Sequence, residues 1–309
     1  MTREVTVRAP GKLNLQLSVG PRRDDGYHPL ATVFQAVDLY ETVTATPRAD
    51  DRFTLEMTML PTVKAAPGAV PLDETNLAMR AARAVAARYG ITDGVDLRVV
   101  KGVPVAGGMA GGSADAAATL LACAEAWNVG ATRDELDELA AGLGSDVPFA
   151  LHGHTAVGLG RGDELSPAMT HGEFHWVFAT QGHGLSTPAV YAEFDRQVEA
   201  GERTAKDPHL SNAIMSALMA GDAHALGASL QNDLQGPALA LAPHLKRTLD
   251  LAHEAEALGA MVSGSGPTVA ALGRSRQHAL AIAAHLSAVG ESDAVFTVSG
   301  PAPGAVVLN

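Results

Sequence analysis

The stretch Pro104-Val105-Ala106-Gly107-Gly108-Met109-Ala110-Gly111-Gly112-Ser113-Ala114-Asp115-Ala116-Ala117 lies near the middle of this 309-residue chain. Four glycines within six positions leave no Cβ atoms to keep a ligand away from the backbone. A predicted helix over 113–127 would point its unpaired N–H groups and the positive end of its dipole at this loop. The pattern is typical of a polyphosphate site. A tight turn with close helix packing would have the same composition.

Two common phosphate loops do not fit this stretch. The dinucleotide fingerprint needs G-x-G-x-x-G followed by an acidic residue about 20 positions later. The glycine pairs here are spaced differently, as Gly107-Gly108 and Gly111-Gly112. A Walker A loop ends in Gly-Lys-Ser/Thr, whereas Gly112 directly precedes Ser113 without a lysine. The loop is therefore of a third kind.

The charge of the chain restricts its partners. Lys and Arg total 22 against 34 Asp and Glu, which gives a net charge of −12. Such a surface repels nucleic acid and anionic membranes, so a bound phosphate must be held in a local pocket. The single cysteine, Cys123, cannot form an internal disulfide and fits a reducing cytosol. With neither a signal-peptide core nor an apolar run of about 20 residues, we expect a soluble cytoplasmic protein.

Helical and strand patterns are mixed along the chain rather than strictly alternating, which predicts an α+β fold. Alternating segments predict strands over 4–8, 13–17, 33–40, 41–46, 53–59, 95–100, 155–159, 175–179, 260–262, 268–272 and 294–298. Capping residues and helical spacing predict helices over 77–89, 113–127, 132–143, 189–199, 212–220, 223–230, 243–258 and 277–289.

The length of the chain suggests roughly two domains. The glycine- and charge-rich loop Gly160-Arg161-Gly162-Asp163-Glu164 is the best candidate boundary. We therefore expect an N-terminal domain over 1–160 and a C-terminal domain over 161–309.

Two charged residues are candidates for chemistry. Lys12 follows Pro10-Gly11 at a strand break and is either a solvated surface group or a fixed positive charge beside a transferred phosphoryl group. Asp146 precedes an apolar segment and is either the N-cap of a short helix beginning at Val147 or Pro148, or a general base for a substrate hydroxyl. Spacing alone does not pair the two residues.

Three motifs, in the same order along the chain, resemble those of the GHMP kinases, which include galactokinase, homoserine kinase and mevalonate kinase. They are Pro10-Gly11-Lys12-Leu13-Asn14-Leu15, the glycine-rich stretch quoted above, and Gly264-Ser265-Gly266-Pro267. The segments Arg23-Asp24-Asp25-Gly26-Tyr27-His28 and Gly144-Ser145-Asp146-Val147-Pro148-Phe149 resemble one branch of that family. Its substrate is a cytidine diphosphate-linked methylerythritol of the non-mevalonate isoprenoid pathway. The resemblance covers essentially the whole chain.

The resemblance implies a fold and a nucleotide site. The N-terminal domain should be like the second domain of ribosomal protein S5, and the C-terminal domain should be ferredoxin-like. ATP would lie on Pro104, Val105, Ala106, Gly107, Gly108, Met109, Ala110, Gly111, Gly112, Ser113 and Ala114, with Asn76 near the nucleotide. The family's loop often has three consecutive glycines where this chain has Ala106 or Ala110. Alanine should still fit there, with a slightly less free backbone.

The resemblance also implies the reaction. Lys12 and Asp146 match the catalytic pair that would activate the 2-hydroxyl of the substrate. The implied substrate-binding residues are Asn14, Tyr27, His28, His183 and Thr187. Tyr27 would stack on the cytosine ring, and His28 would hydrogen-bond its polar edge.

The implied cofactors are ATP and Mg²⁺. Some relatives bind the metal through a serine after the glycine loop and a separate glutamate. Ser113 matches the serine, and no glutamate is identified from the sequence. We expect a small-molecule substrate, no nucleic-acid or membrane partner, and a monomer or weak homodimer.

The sequence leaves three alternatives open. A homoserine- or mevalonate-type kinase of the same superfamily would lack the Asp25-Gly26-Tyr27-His28 turn. A catalytically silent ligand-binding relative would bind nucleotide without turnover, and retention of Lys12 and Asp146 argues against it. An RNA-binding role through the S5-like domain is disfavoured by the net charge of −12.

Overall fold

A computed structural model describes residues 4–64, 68–182 and 184–308. His183 therefore lies outside the described residues. The strands are β1 Val5–Val19, β2 Leu30–Pro47, β3 Phe53–Met59, β4 Val95–Lys101, β5 Thr155–Leu159, β6 Glu164–Pro167, β7 Phe174–Thr180, β8 Gln231–Asn232, β9 Gly259–Val262, β10 Val269–Gly273, β11 Ala294–Gly300 and β12 Val306–Val307. The helices are α1 Leu77–Tyr89, α2 Gly111–Ala126, α3 Arg133–Leu143, α4 Val147–His152, α5 Thr187–Glu199, α6 Asn212–Ala220, α7 Ala223–Ser229, α8 Gln235–Leu241, α9 Leu245–Glu254 and α10 Arg276–Val289.

The first sheet has the strand order β12-β1-β2-β4-β3, and β5 continues it along the other half of β2. Helix α2 packs against this sheet and against α1, α3 and α4. Its side chains are buried on nearly every face, including Ala117, Leu120 and Cys123. A helix that is apolar all round belongs in the interior. The helix that follows the glycine loop is therefore anchored in the core of the N-terminal half.

The second sheet confirms the predicted ferredoxin-like architecture. Its order is β11-β7-β10-β9, and every neighbouring pair is antiparallel. When these four strands are numbered 1 to 4 along the chain, their order across the sheet is 4-1-3-2. Helices α9 and α10 pack against it, and the buried side chains between them include Leu249, Ile282 and Val177.

The local signals at helix ends are confirmed. Asn76 caps α1 by accepting a hydrogen bond from the Ala78 N–H, and Gly90 ends the helix with a left-handed φ of 64°. Thr132 and Glu135 form the expected capping box at the start of α3. Because such signals act between residues a few positions apart, the sequence alone can reveal them.

The sequence wrongly predicted a break in each of the two long strands. The segments over 4–8 and 13–17 form one strand, β1, whose pairing with β2 shifts register between Pro10 and Gly11. The segments over 33–40 and 41–46 likewise form one strand, β2. A bulge absorbs the irregular Pro-Gly pair without ending the strand.

Short elements were missed. Strands β6, β8 and β12 have two to four residues, and α8 contains the Gly236-Pro237 pair that reads as a turn. All three strands lie after residue 160, and yet they pair with β5 or β1 of the first sheet. The chain thus returns to the first sheet repeatedly. The division into 1–160 and 161–309 remains a prediction.

Candidate active site

A cavity of about 1030 Å³ lies between the two halves of the molecule. Its walls come from β1, the 22–28 turn, the start of α4, α5 and the Gly264-Ser265 turn. Residues predicted for the site that line it are Lys12, Asn14, Tyr27, His28, Gly108, Ala110, Asp146 and Thr187. The fold therefore gathers most of the predicted catalytic and substrate-binding side chains around one space.

Lys12 is buried, so the alternative of a solvated surface lysine is wrong. It lies just after the β1 bulge with 8% of its surface exposed. Its Nζ donates a hydrogen bond to Asn14 Oδ1 at 2.6 Å and lies 4.0 Å from Asp146 Oδ2. The Asn14 amide in turn donates to Thr32 Oγ1 at 2.8 Å. These contacts hold a positive charge at the cavity wall.

Asp146 occupies the N-cap position of α4 without capping it. Its backbone is helical, with φ −88° and ψ −7°, and its side chain accepts no capping hydrogen bond. Pro148, at the second helical position, removes one of the N–H groups that a capping side chain would reach. The carboxylate, 31% exposed, instead borders the cavity opposite Lys12. The N-cap alternative therefore predicted the position of Asp146 at the helix start correctly, but its side chain does not form the capping hydrogen bond.

The 22–28 turn presents Tyr27 and His28 differently. Tyr27 is 54% exposed, and the guanidinium carbon of Arg161 lies 5.0 Å from its ring centroid. His28 is buried, with Nδ1 at 2.9 Å from the Gly20 carbonyl oxygen and Nε2 at 3.3 Å from Asp195 Oδ1. A half-exposed aromatic ring with a cation over one face and a fixed imidazole therefore border the cavity.

Helix α5 lines the cavity with several residues that were not predicted from the sequence, among them Tyr191 and Asp195. Tyr191 has its ring centroid 5.1 Å from that of His28, and Asp195 contacts His28 and lies 3.7 Å from Arg22. Burial, followed by the negative charge of Asp146, raises the pKa of Tyr191. Thr187, Tyr191 and Asp195 are spaced four apart and share one helix face. That spacing, starting from the predicted Thr187, is the signal that could have found them.

The glycine loop is closely packed against the Gly264-Ser265 turn. Gly108 has a φ of 75°, and a Cβ on it would lie 2.1 Å from the Ser263 carbonyl oxygen. The Ser263 hydroxyl also donates to the Gly108 carbonyl oxygen at 3.3 Å. The close approach of the segment at Ser263 therefore requires glycine at this position, as the approach of a ligand would. Helix α2 begins at Gly111, two residues before the predicted start.

Ala106 and Ala110 fit the loop only in the left-handed region. Their φ values are 52° and 57°, a conformation that costs an L-residue about 1–2 kcal/mol. The conformational strain at these two positions is therefore larger than the slight restriction that the sequence led us to expect.

The predicted nucleotide residues differ in their exposure. Gly108 and Ala110 reach the cavity, whereas the Met109 and Ala114 side chains are wholly buried, so only their backbone could meet a ligand. Asn76 uses its side chain in the α1 cap and donates to the Pro71 carbonyl oxygen at 2.7 Å. Its predicted place near the nucleotide stays a prediction.

Within residues 4–64, 68–182 and 184–308, no three His, Cys, Asp or Glu side chains group closely enough to hold a metal ion. Ser113 lies in the first turn of α2, half-buried. Its proposed metal contact therefore lacks a preformed set of protein ligands around it. Over the same ranges, no helix is long and apolar enough to cross a membrane.

Two family models match the chain. The model for the GHMP kinases N terminal domain matches residues 76–154, and that for GHMP kinases C terminal matches residues 214–292. The first match contains the glycine loop and Asp146, and the second contains the Gly264-Ser265 turn.

Curated relatives and solved structures agree with these matches. The chain is 53% identical over 306 residues to the 4-diphosphocytidyl-2-C-methyl-D-erythritol kinase of Streptomyces coelicolor, covering 99% of each chain. It is 52% identical over 307 residues to the protein of that name from Thermobifida fusca, covering 98% of each. A crystal structure of 4-(cytidine 5'-diphospho)-2C-methyl-D-erythritol kinase is 30% identical, with a TM-score of 0.77 and coverage of 95% of this chain and 98% of that one. Homoserine kinase from Cytophaga hutchinsonii, at 18% identity and a TM-score of 0.75, shares the fold.

Proposed function

This chain belongs to the 4-diphosphocytidyl-2-C-methyl-D-erythritol kinase family of the GHMP kinases, and we propose a reaction for it on that premise. ATP transfers its γ-phosphoryl group to the 2-hydroxyl of 4-diphosphocytidyl-2-C-methyl-D-erythritol, and ADP leaves. The observation that carries the proposal is the position of Lys12 and Asp146 on one cavity whose edge is the glycine loop.

Asp146 accepts the proton of the 2-hydroxyl as its oxygen forms the new bond to the γ-phosphorus. The bond between that phosphorus and the β–γ bridging oxygen breaks, and the electron pair leaves with ADP. The 4.0 Å between Lys12 Nζ and Asp146 Oδ2 leaves a place for a hydroxyl oxygen within hydrogen-bond reach of both groups. Lys12 stabilises the negative charge that develops on that oxygen.

The loop from Pro104 to Ala114 binds the ATP phosphates through its backbone and the start of α2. Mg²⁺ neutralises phosphate charge when bound, and it usually keeps waters and phosphate oxygens as ligands rather than an all-protein cage. The described residues fit that mode, with Ser113 as the protein hydroxyl nearest the start of α2 in sequence. Asn76 would lie beside the nucleotide.

The cytidine end of the substrate occupies the outer part of the cavity. Tyr27 offers its open ring to the pyrimidine, and His28 lies beside it, with Asn14 and Thr187 nearer the reacting alcohol. His183 keeps its sequence-based assignment to the substrate pocket. Stacking of a base on an aromatic ring is worth about 1–3 kcal/mol, which separates a cytidyl substrate from a simple alcohol.

The test is ADP release by purified protein with ATP, magnesium and one alcohol at a time. We expect turnover with the diphosphocytidyl methylerythritol and none with homoserine or mevalonate. Turnover with a simple alcohol alone would contradict the roles of Tyr27 and His28. Nucleotide binding without turnover on any alcohol would favour the silent ligand-binding relative.

A further inference from the structure

Three ionisable side chains lie buried beneath the glycine loop, away from the cavity. Lys101 Nζ lies 2.6 Å from Glu41 Oε1 and 2.5 Å from Asp115 Oδ2. Glu41, Lys101 and Asp115 expose 0%, 2% and 2% of their surfaces. We call these three residues the buried triad. Charged residues are almost never buried so completely unless they are paired with one another, as these three are.

The buried triad joins the two ends of the loop. Lys101 is the last residue of β4, immediately before the loop, and Asp115 lies in the first two turns of α2, immediately after it. Glu41 comes from β2 and also accepts a hydrogen bond from the Gly102 N–H at 2.9 Å. The entry and exit of the loop are therefore fastened to each other and to one strand.

Glycine at both loop ends permits this close approach. A Cβ on Gly102 would lie 2.2 Å from the Tyr40 carbonyl oxygen, and one on Gly111 would lie 2.7 Å from Glu41 Oε1. Adjacent residues of β2, Tyr40 and Glu41, thus lie close to Gly102, two residues before the loop, and to Gly111, its third glycine. A side chain at either position would push β2 away from the segment that carries the loop.

We propose that Glu41, Lys101 and Asp115 are positioning residues for the nucleotide, which set the shape of the glycine loop by tying its two ends together. The inference rests on the proposed use of this loop for ATP. None of the three lines the cavity, so they act on the nucleotide only through the backbone that they hold. Their effect should appear in ATP binding and leave the alcohol site unchanged.

The charges of the buried triad indicate which substitution will be tolerated. The groups that face Glu41 are the Lys101 ammonium from β4, the Asp115 carboxylate from α2 and the Gly102 N–H. Burial, followed by repulsion from Asp115, raises the pKa of Glu41 to about 8. Glutamine has the shape of a protonated glutamate and can still accept the Gly102 N–H bond. Glu41→Gln should therefore preserve the loop, and Glu41→Ala should not.

The experiment measures the affinity of the full-length chain for a non-hydrolysable ATP analogue with Mg²⁺ by calorimetry, and the KM of each substrate. Glu41→Ala should raise the Kd of the analogue and the KM of ATP by roughly tenfold, since hydrogen bonds to charged groups are lost at the loop end. The KM of the alcohol should change by less than about twofold. Glu41→Gln should restore wild-type affinity for the analogue.

Val99→Ala is the matched control, because Val99 is buried on the same face of β4 and bonds to neither loop end. It should destabilise the chain and leave ATP affinity unchanged. Should Glu41→Ala not fold, Lys101→Met makes the same test, with the same loss of ATP affinity expected.

A folded Glu41→Ala or Lys101→Met variant with wild-type affinity for the analogue would overturn the inference. So would a Val99→Ala variant that loses as much ATP affinity, or Glu41→Gln behaving like Glu41→Ala. The analogue is measured without alcohol, so a chain that shows the expected pattern but phosphorylates no cytidyl alcohol would refute the proposed function alone.

Discussion

Lys12 Nζ and Asp146 Oδ2 lie 4.0 Å apart on the cavity wall, although one belongs to the first strand and the other to the start of α4. The distance is too long for a direct hydrogen bond between them. Lys12 is fixed instead by Asn14, at 2.6 Å, so Asp146 is left to bind something else. A substrate hydroxyl placed to one side of the line that joins the two groups would lie within hydrogen-bond reach of both.

Replacement of Asp146 by Asn should therefore remove turnover and preserve nucleotide binding. The amide cannot accept the hydroxyl proton, and a positioned general base typically contributes about 10²- to 10⁴-fold. We expect kcat to fall by that factor while the Kd of an ATP analogue changes by less than about twofold. Asp137→Asn is a suitable control, because its side chain is 29% exposed on α3 and outside the cavity. A fully active Asp146→Asn enzyme would remove this carboxylate from the mechanism.

Tyr27→Ala should weaken the cytidyl substrate selectively. The half-exposed ring is the stacking surface in the proposed complex, and its loss should raise the KM of that substrate by about 5- to 150-fold, following stacking energies of about 1–3 kcal/mol. The KM of ATP should be unaffected. Tyr27→Phe keeps the ring and should behave like wild type in steady-state kinetics. Equal increases for both substrates would place the cytosine elsewhere.

Asp195→Asn should loosen the same end of the pocket. Asp195 lies 3.3 Å from His28 Nε2 and 3.7 Å from Arg22, and so connects α5 to the 22–28 turn. We expect the KM of the cytidyl substrate to rise by about tenfold or less, since one partly exposed charged contact is lost. The control Asp250→Asn removes an exposed ion pair with Lys246 on α9, outside the cavity, and should change neither KM. An unchanged substrate KM for Asp195→Asn would show that His28 does not depend on it.

Local features of this site could be predicted from sequence, and distant ones could not. Helix caps act within a few residues, as those at Asn76, Gly90 and Thr132 do. The sequence therefore predicted the helices that begin or end at these residues. The approach of Lys12 to Asp146 depends on how β1 packs beside α4, which no local spacing contains. The resemblance supplied that pairing.

The missed features have a common physical cause. Strands β8 and β12 have two residues each and exist because β1 offers them hydrogen-bonding edges. Glu41, Lys101 and Asp115 look like ordinary surface charges in the sequence, and only the fold buries them together. Tyr191 and Asp195 could have been found by extending the helix face from Thr187, because their spacing is local.

Glu41→Gln should change how stability depends on pH. The pKa of Glu41 rises from 4.5 to about 8 on folding. Between these values the unfolded chain has lost the proton that the folded chain retains, so this group makes stability fall as pH rises from about 4.5 to about 8. Glutamine does not titrate. Thermal unfolding from pH 5 to pH 9 should therefore show the variant gaining stability relative to wild type as pH rises, and a constant difference would contradict the raised pKa.

Ala110→Gly should stabilise the chain without altering the loop. Ala110 holds φ 57° and ψ 36°, where an L-residue costs about 1–2 kcal/mol and glycine has no Cβ penalty. Glycine also adds about 0.5–1 kcal/mol of unfolded-state entropy, which leaves a net gain of about 0–1.5 kcal/mol in the free energy of unfolding. The affinity for an ATP analogue should be unchanged, since the backbone already has this conformation. The control Ala116→Gly lies inside α2 and should lose about 1 kcal/mol. Destabilisation by both substitutions would mean that Ala110 is not left-handed in solution.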